Sequence, residues 1–296
     1  MNDKIYRLLN TCSPLLVHHK KALFSLRYYR NFHRKLQLKK PVLFHDKIFW
    51  LACNTDTSMW SKLADKYEVR EYVASCYGDK ILNKLLGVYD NPESIDYDAL
   101  PQQFILKTTN GSATYIIVKD KACFDKEEAH KKLKYWLKFK YGDITGQPHY
   151  SKIPPRIIAE SLLVQDNDPN KALIDYKFYC FNGQPYYCLT YSDRVLNTHI
   201  AHRMIYDMQW QAHPEFFDKK VKEANSSRLD CPRNFEQMIE IAGVLSKGFP
   251  FVRVDLYNIE DKPMFGEFTF TPELSTHFTY EFQKELGDKI ILPQLI

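Results

Sequence analysis

One dipeptide constrains this chain more than any other feature. Asn182-Gly183 stands between two runs rich in aromatic residues, Ile174 to Phe181 and Pro185 to Tyr191. A two-residue hairpin turn needs positive φ at its central positions, which asparagine and glycine tolerate, so this arrangement is the strongest short-range hairpin signal available. It commits the second half of the chain to antiparallel sheet.

The pattern recurs. Phe104 to Thr108 and Thr114 to Lys119 are separated by Asn110-Gly111-Ser112, giving a hairpin that carries Lys107; Phe251 to Asn258 and Pro263 to Phe270 flank Ile259 to Lys262. Arg156 to Val164 reads as a further strand, and Arg203 to Met208 is expected to extend the second sheet. Helical spacing runs from Ser61 to Tyr77, ending at Gly78, and over Asp125 to Phe139. Asn234-Phe-Glu-Gln237 resembles a capping box opening a helix whose apolar face is Met238, Ile241, Ala242 and Leu245. Mixed helices and strands in this order predict an α+β fold with mainly antiparallel sheets. At 296 residues the chain is long enough for about two lobes.

Seven cysteines, of which Cys180 and Cys188 are the closest pair, indicate neither a CxxC zinc site nor a disulfide framework. The longest uncharged run, Phe178 to Ser192, is broken by Asn182, Gly183 and Pro185, so no membrane span is expected. No small-residue cleavage site follows the N-terminal apolar stretch, and a cytoplasmic location is expected.

The net charge of +5 is unevenly spread. Residues 1–40 hold ten Lys/Arg against Asp3, which leaves the rest of the chain net acidic. This basic helical head has two readings. One is peripheral attachment to an anionic surface, such as the inner membrane face. The other is a helix with a solvated basic side, favoured because Leu23, Phe24, Leu26, Tyr28, Tyr29, Phe32 and Leu36 fall all around the helical wheel. No nucleic-acid motif accompanies the charge, so nucleic acid is not an expected partner.

The familiar phosphate loops are missing: no two glycines have GxG spacing, and Gly243 to Gly248 is followed by Phe249 instead of lysine. His199 and His202 lack a nearby cysteine and read as loop histidines. What remains lies on strands. Alternation puts Arg253 and Asp255 on one face, and Glu267 and Thr269 on one face, so two carboxylates can converge across a hairpin. Oxygen ligands in that number suit Mg²⁺ with a nucleotide, while a solvated strand face is the commoner meaning of such a pair. Lys107, inside an apolar run, faces either a cleft and partner charge or an outer edge.

Six segments occur together in a recognisable order: DKYEVREYV at 65–73, LPQQFILKTTNGS at 100–112, PRIIAESLL at 155–163, DYKFYCFNGQP at 175–185, FPFVRVDLYN at 249–258 and FGEFTFTP at 265–272. Over residues 41–296 they resemble the TupA-like, teichuronopeptide-biosynthesis branch of the ATP-grasp superfamily. The resemblance implies an ATP-grasp fold of two α+β lobes, 41–158 and 159–296, gripping ATP, with residues 1–40 outside. It implies that Lys107 meets the α- and β-phosphates under a loop containing Asn110, Gly111 and Ser112. Glu160, Ser161, Leu162 and Leu163 would be the hinge whose main chain pairs with adenine, and Asp175 would take the ribose hydroxyls. Lys177 and Arg194 would lie near the γ-phosphate and acceptor, and Arg253 would stabilise the transferring phosphoryl group. Asp255 and Glu267 would hold Mg²⁺, with Thr269 in the third ligand position where most of the superfamily has asparagine. After Pro272, Glu273 to His277 replaces expected glycines.

The function so implied is an ATP-dependent carboxylate–amine ligase in cell-surface or capsule polysaccharide biosynthesis. Its substrates would be ATP, a carboxylate-bearing sugar or glycan such as a uronic acid, and an amino-acid amine. A phosphotransferase acting on a sugar hydroxyl is the alternative. A non-catalytic nucleotide binder is disfavoured by the joint presence of Lys107, Asp255 and Glu267.

Overall fold

The computed structural model describes residues 20–193, 201–219, 228–273 and 277–294. It divides into two compact units. The first comprises the described residues through Arg30, Thr55–Tyr72 and Asn83–Leu162; the second comprises Asn31–Asn54, Val73–Leu82 and the described residues from Leu163 onward. The chain thus enters the second unit twice before residue 163. The two continuous lobes expected from the sequence, 41–158 and 159–296, differ from this division, since no composition change marks these early excursions.

The first unit is built on a four-stranded antiparallel sheet of β1 (Leu85–Tyr89), β2 (Phe104–Thr108), β3 (Tyr115–Val118) and β4 (Ile157–Ser161), in the order β1-β4-β2-β3. Phe104, Leu106, Val118, Ile157 and Ala159 form its buried core with Leu133 of a covering helix. Each such large apolar side chain contributes about 1.5–3 kcal/mol by leaving water. Burial alternates along β2, with Phe104, Leu106 and Thr108 buried, so Ile105 and Lys107 lie on the face away from that core.

The expected helix over Ser61–Tyr77 forms as two pieces. Helix α1 is Lys20–Phe32, α2 is Phe44–Asn54, α3 is Ser58–Ala64 and α4 is Val69–Tyr77. The break between α3 and α4 falls at Asp65, whose backbone is extended and whose Oδ1 accepts from the backbone N–H of Tyr67 at 2.8 Å and Glu68 at 3.3 Å. A short carboxylate that bonds its own downstream amides competes with the helix ladder and ends it. Farther on, α5 (Lys126–Leu137) follows the sequence reading, with Asp125 capping Glu128 N–H at 2.9 Å; α6 is the short Tyr141–Thr145.

The second unit holds a five-stranded antiparallel sheet in the order β7-β6-β5-β8-β9: β5 is Asp175–Phe181, β6 Gln184–Ser192, β7 His202–Asp207, β8 Val252–Ile259 and β9 Lys262–Thr269. The Asn182-Gly183 turn forms with φ of 50° and 80°. Glu260 and Asp261 make the β8–β9 turn with φ of 51° and 58°. Strand β5 is the middle strand and is buried along its whole length. Helix α7 (Phe235–Leu245) stacks Phe235 on Phe178 at 5.9 Å. The anticipated capping box at Asn234 is absent: the side-chain amide of Asn234 instead donates to Asn258 Oδ1 at 3.0 Å and the Asp261 carbonyl at 2.9 Å, tying the helix start to the β8–β9 turn. Helix α8 (Tyr280–Asp288) packs on α2. Gly287 permits that approach, because a Cβ there would sit 2.2 Å from the Val42 carbonyl oxygen.

Helix α1 buries Phe24 and Tyr28 completely, one turn apart, while Leu26 and Tyr29 stay exposed. Arg27 donates to the Thr145 carbonyl. The apolar side of this basic helix is therefore used inside the protein. Among the described residues no helix is long and apolar enough to cross a membrane.

Candidate active site

Pairing across β5, β8 and β9 aligns two rows. Lys177, Asp255 and Glu267 are cross-strand partners, as are Tyr179, Arg253 and Thr269. Residues two apart on a strand share a face, so both rows and Asp175 face the same way. A bulge at Gly266 sets the register; a Cβ there would be 3.0 Å from the Asp255 carbonyl oxygen, and the extra residue brings Glu267 opposite Asp255.

Asp255 is the hub. Its Oδ1 accepts from Arg253 Nε at 2.6 Å, and its Oδ2 accepts from Arg253 Nη2 at 2.7 Å and Lys177 Nζ at 2.6 Å. Lys177 also reaches Asp175 Oδ1 at 3.3 Å. Arg253 Nη2 donates to Thr269 Oγ1 at 2.9 Å and stands 3.7 Å from Glu267 Oε1. The Asp255 side chain is 4% exposed, whereas Glu267 is 48% exposed, so solvent and any incoming cation meet Glu267 first.

Burial alone would lower the pKa of Lys177 and raise that of Asp255. The charges overrule it: Asp175 and Asp255 hold Lys177 above its ordinary value, and Arg253 and Lys177 hold Asp255 below the usual carboxylate range. Arg253 is likewise held charged against burial by Asp255. All three groups are held in their charged forms despite burial, and an ionised carboxylate is what a metal ligand needs. The donor set of Asp255, Glu267 and Thr269 is all oxygen and supplies two carboxylates, and it fits a hard cation completed by phosphate and water. Among the described residues no group of three His, Cys, Asp or Glu side chains is placed to hold a metal.

The first unit carries a second charged cluster, on the face of β2 and β4 away from the core. Lys107 Nζ lies 2.7 Å from Glu160 Oε2, and Arg70 Nη1 on α4 lies 3.0 Å from Glu160 Oε1. Arg70 Nη2 donates to the Asn83 carbonyl at 2.8 Å, and the Asn83 side-chain amide donates to the Ser161 carbonyl at 2.8 Å. Lys107 thus faces a partner charge. The sequence alone assigns no role to Arg70 or Asn83, since nothing local reveals a contact such as that of Arg70 with Glu160, ninety residues away.

The loop after β2 is tied down at several points. The Asn110 side-chain amide donates to the carbonyls of Trp136, Leu137 and Phe139 at 3.1–3.3 Å, anchoring the loop to the end of α5. Lys66 Nζ donates to the Gly111 carbonyl at 2.6 Å. Ser112 is exposed, and Ala113 takes a φ of 58°. Of the hinge residues, Ser161 has its N–H bonded to the Lys84 carbonyl at 3.0 Å and its carbonyl taken by Asn83. Glu160 pairs with Leu85 on one side and Ile105 on the other. Leu162 and Leu163 follow the strand end, and the change from first to second unit falls between them. Arg194 lies outside the described residues, as do positions 274–276 of the segment after Pro272.

A family model described as TupA-like ATPgrasp matches residues 46–291. No curated protein matches the chain. Solved structures it is similar to include the ATP-grasp ligase PsnB complexed with a minimal precursor, at 11% identity and TM-score 0.40, covering 80% of this chain and 61% of that one. The ADP complex of N5-carboxyaminoimidazole ribonucleotide synthetase is 13% identical with TM-score 0.48, covering 78% of this chain and 52% of that one. D-alanine–D-alanine ligase from Bacillus anthracis complexed with ATP is 12% identical with TM-score 0.46, covering 86% and 74%. The chain spans only 61% and 52% of the first two of these proteins.

Proposed function

The chain belongs to the TupA-like ATPgrasp family, and from that premise we propose that it is an ATP-dependent carboxylate–amine ligase of cell-surface polysaccharide biosynthesis. In the reaction the γ-phosphoryl group of ATP passes to a carboxylate oxygen, releasing ADP and leaving an acyl phosphate. An amine then attacks the acyl carbon, the C–O bond to phosphate breaks, and amide, inorganic phosphate and a proton result. The carboxylate is that of a uronic acid or similar sugar, and the amine is an amino acid.

The observation that carries this reading is the row Lys177–Asp255–Glu267 with Arg253 clamped on its centre. Mg²⁺ held by Asp255, Glu267 and Thr269 would neutralise charge on the phosphates. Arg253 and Lys177 keep Asp255 ionised and add fixed positive charge where phosphoryl transfer needs it, Lys177 with Arg194 serving the γ-phosphate and acceptor. Lys107 is assigned to the α- and β-phosphates, with the Asn110–Gly111–Ser112 loop supplying backbone amides. Because the main chain of Ser161 is already engaged and Glu160 is paired on both sides, the adenine edge falls to Leu162 and Leu163 within the proposed hinge. Asp175 is assigned to the ribose hydroxyls.

Peripheral attachment through residues 1–40 remains part of the proposal. Since Phe24 and Tyr28 are buried, such attachment rests mainly on the exposed basic residues, and it is salt-sensitive. Measuring ADP release with matched pairs of uronic acids and amino acids tests the ligase reading. The expectation is that one pair stimulates release far more than either member alone. Stimulation by a neutral sugar, independent of any amine, would overturn it in favour of a phosphotransferase.

A further inference from the structure

Resting on the nucleotide-binding reading above, we propose that Arg70 is a positioning residue for Lys107, acting through Glu160. Lys107 and Glu160 alone, 2.7 Å apart, form a neutral pair, and a neutral pair has little attraction for a polyphosphate. Arg70 on the other carboxylate oxygen, at 3.0 Å, makes the cluster one lysine, one arginine and one glutamate, with a net positive charge. Glu160 then serves as a counter-ion shared by two cations, and Lys107 keeps charge to offer to phosphate.

Geometry adds to this. Glu160 and Ile105 are cross-strand partners, as are Lys107 and Ile158, so Lys107 and Glu160 stand diagonally on one face. The Glu160 side chain is 7% exposed while Lys107 is 27% exposed, so the buried member holds the more accessible one. A lysine side chain loses rotamer freedom on being fixed, and a preset ammonium does not incur that cost when ligand binds. Arg70 is fixed in turn by its second nitrogen on the Asn83 carbonyl at 2.8 Å. The guanidinium fork suits this double task in a way a lysine does not.

The same short segment that carries Arg70 also holds the neighbouring loop, through Lys66 on the Gly111 carbonyl. This gives the DKYEVREYV segment a role that the phosphate and metal assignments leave unexplained. It sets the ammonium and the loop that together receive the nucleotide.

The test is a double-mutant cycle read by calorimetric binding of ADP and Mg-ATP to the full chain without acceptor. Arg70→Met is expected to weaken binding about 10- to 100-fold, the range of one charge-assisted hydrogen bond. Arg70→Lys, which keeps the charge and loses the Asn83 contact, is expected to recover part of that loss. Glu160→Gln in the Arg70→Met background is expected to restore affinity toward the unsubstituted protein, because Lys107 is then no longer neutralised. A merely structural Arg70 would give additive losses, and that result overturns the proposal. Unaltered affinity in a folded Arg70→Met protein also overturns it while leaving the nucleotide reading standing. Failure of the unsubstituted chain to bind either nucleotide overturns both.

Discussion

Asp255 and Glu267 are partners across one hairpin yet differ in what their loss should do. Asp255 is buried between two cations, and Asp255→Asn leaves Arg253 and Lys177 without their counter-ion, at a cost of about 3–5 kcal/mol. Glu267 is half exposed, 3.7 Å from Arg253 and 3.5 Å from the Thr269 hydroxyl. Glu267→Gln is therefore expected to abolish Mg²⁺-dependent ATP turnover with a thermal midpoint within a degree or two of the parent, whereas Asp255→Asn loses both. Turnover by Glu267→Gln matching the parent across a Mg²⁺ titration would remove that residue from the metal site. Period-two alternation was enough to place Arg253 with Asp255 and Glu267 with Thr269 from sequence. The pairing of Lys177 with Asp255 and of Lys107 with Glu160 and Arg70 was not legible, because register and long-range packing decide it.

At the scale of the element, two helical glycines make opposite forecasts. In α8, Gly287→Ala drives a methyl to 2.2 Å from the Val42 carbonyl and 3.0 Å from Phe44 N. Backbone must move, and a loss of about 1–3 kcal/mol or more is expected. In α7, a Cβ at Gly243 would meet Pro185 no closer than 3.6 Å. Gly243→Ala is expected to be neutral or to gain up to about 1 kcal/mol from helix propensity. Urea midpoints of the two variants check both, and equal shifts would contradict the close α8 approach. Hairpins were legible because Asn182-Gly183 carries its own stereochemistry. The broken helix at Asp65 and the missing capping box at Asn234 were not, since each polar side chain chose between a local amide and a distant partner. A basic head with Phe24 and Tyr28 buried is likewise a packing outcome that wheel analysis did not show.

Across the whole molecule, two buried histidines set an acid limit. Burial lowers His45 to about 4, despite its contact with Gln283, and lowers His149 to about 3. Between pH 6.5 and those values the unfolded chain binds protons that the folded chain refuses, so stability is complete above about 6.5 and falls as pH falls. From pH 7.5 to 4.5 the loss is expected to be about 2–3 kcal/mol for each, read from denaturant midpoints. A midpoint unchanged over that range would show that the rings are not held neutral. Fold class followed from the order of helices and strands and the three hairpins from their turns, while the strand order of the sheets and the discontinuous composition of the two units did not, because long-range pairing and packing decide them.

In the proposed ligase reaction phosphate passes to a carboxylate and the acyl phosphate is kept for an amine. Hydroxylamine tests it most directly. With Mg-ATP, the correct carboxylate and no amine, an acyl hydroxamate is expected to accumulate one-for-one with ADP and inorganic phosphate. A phosphorylated sugar accumulating in place of hydroxamate, with no free phosphate, would contradict it.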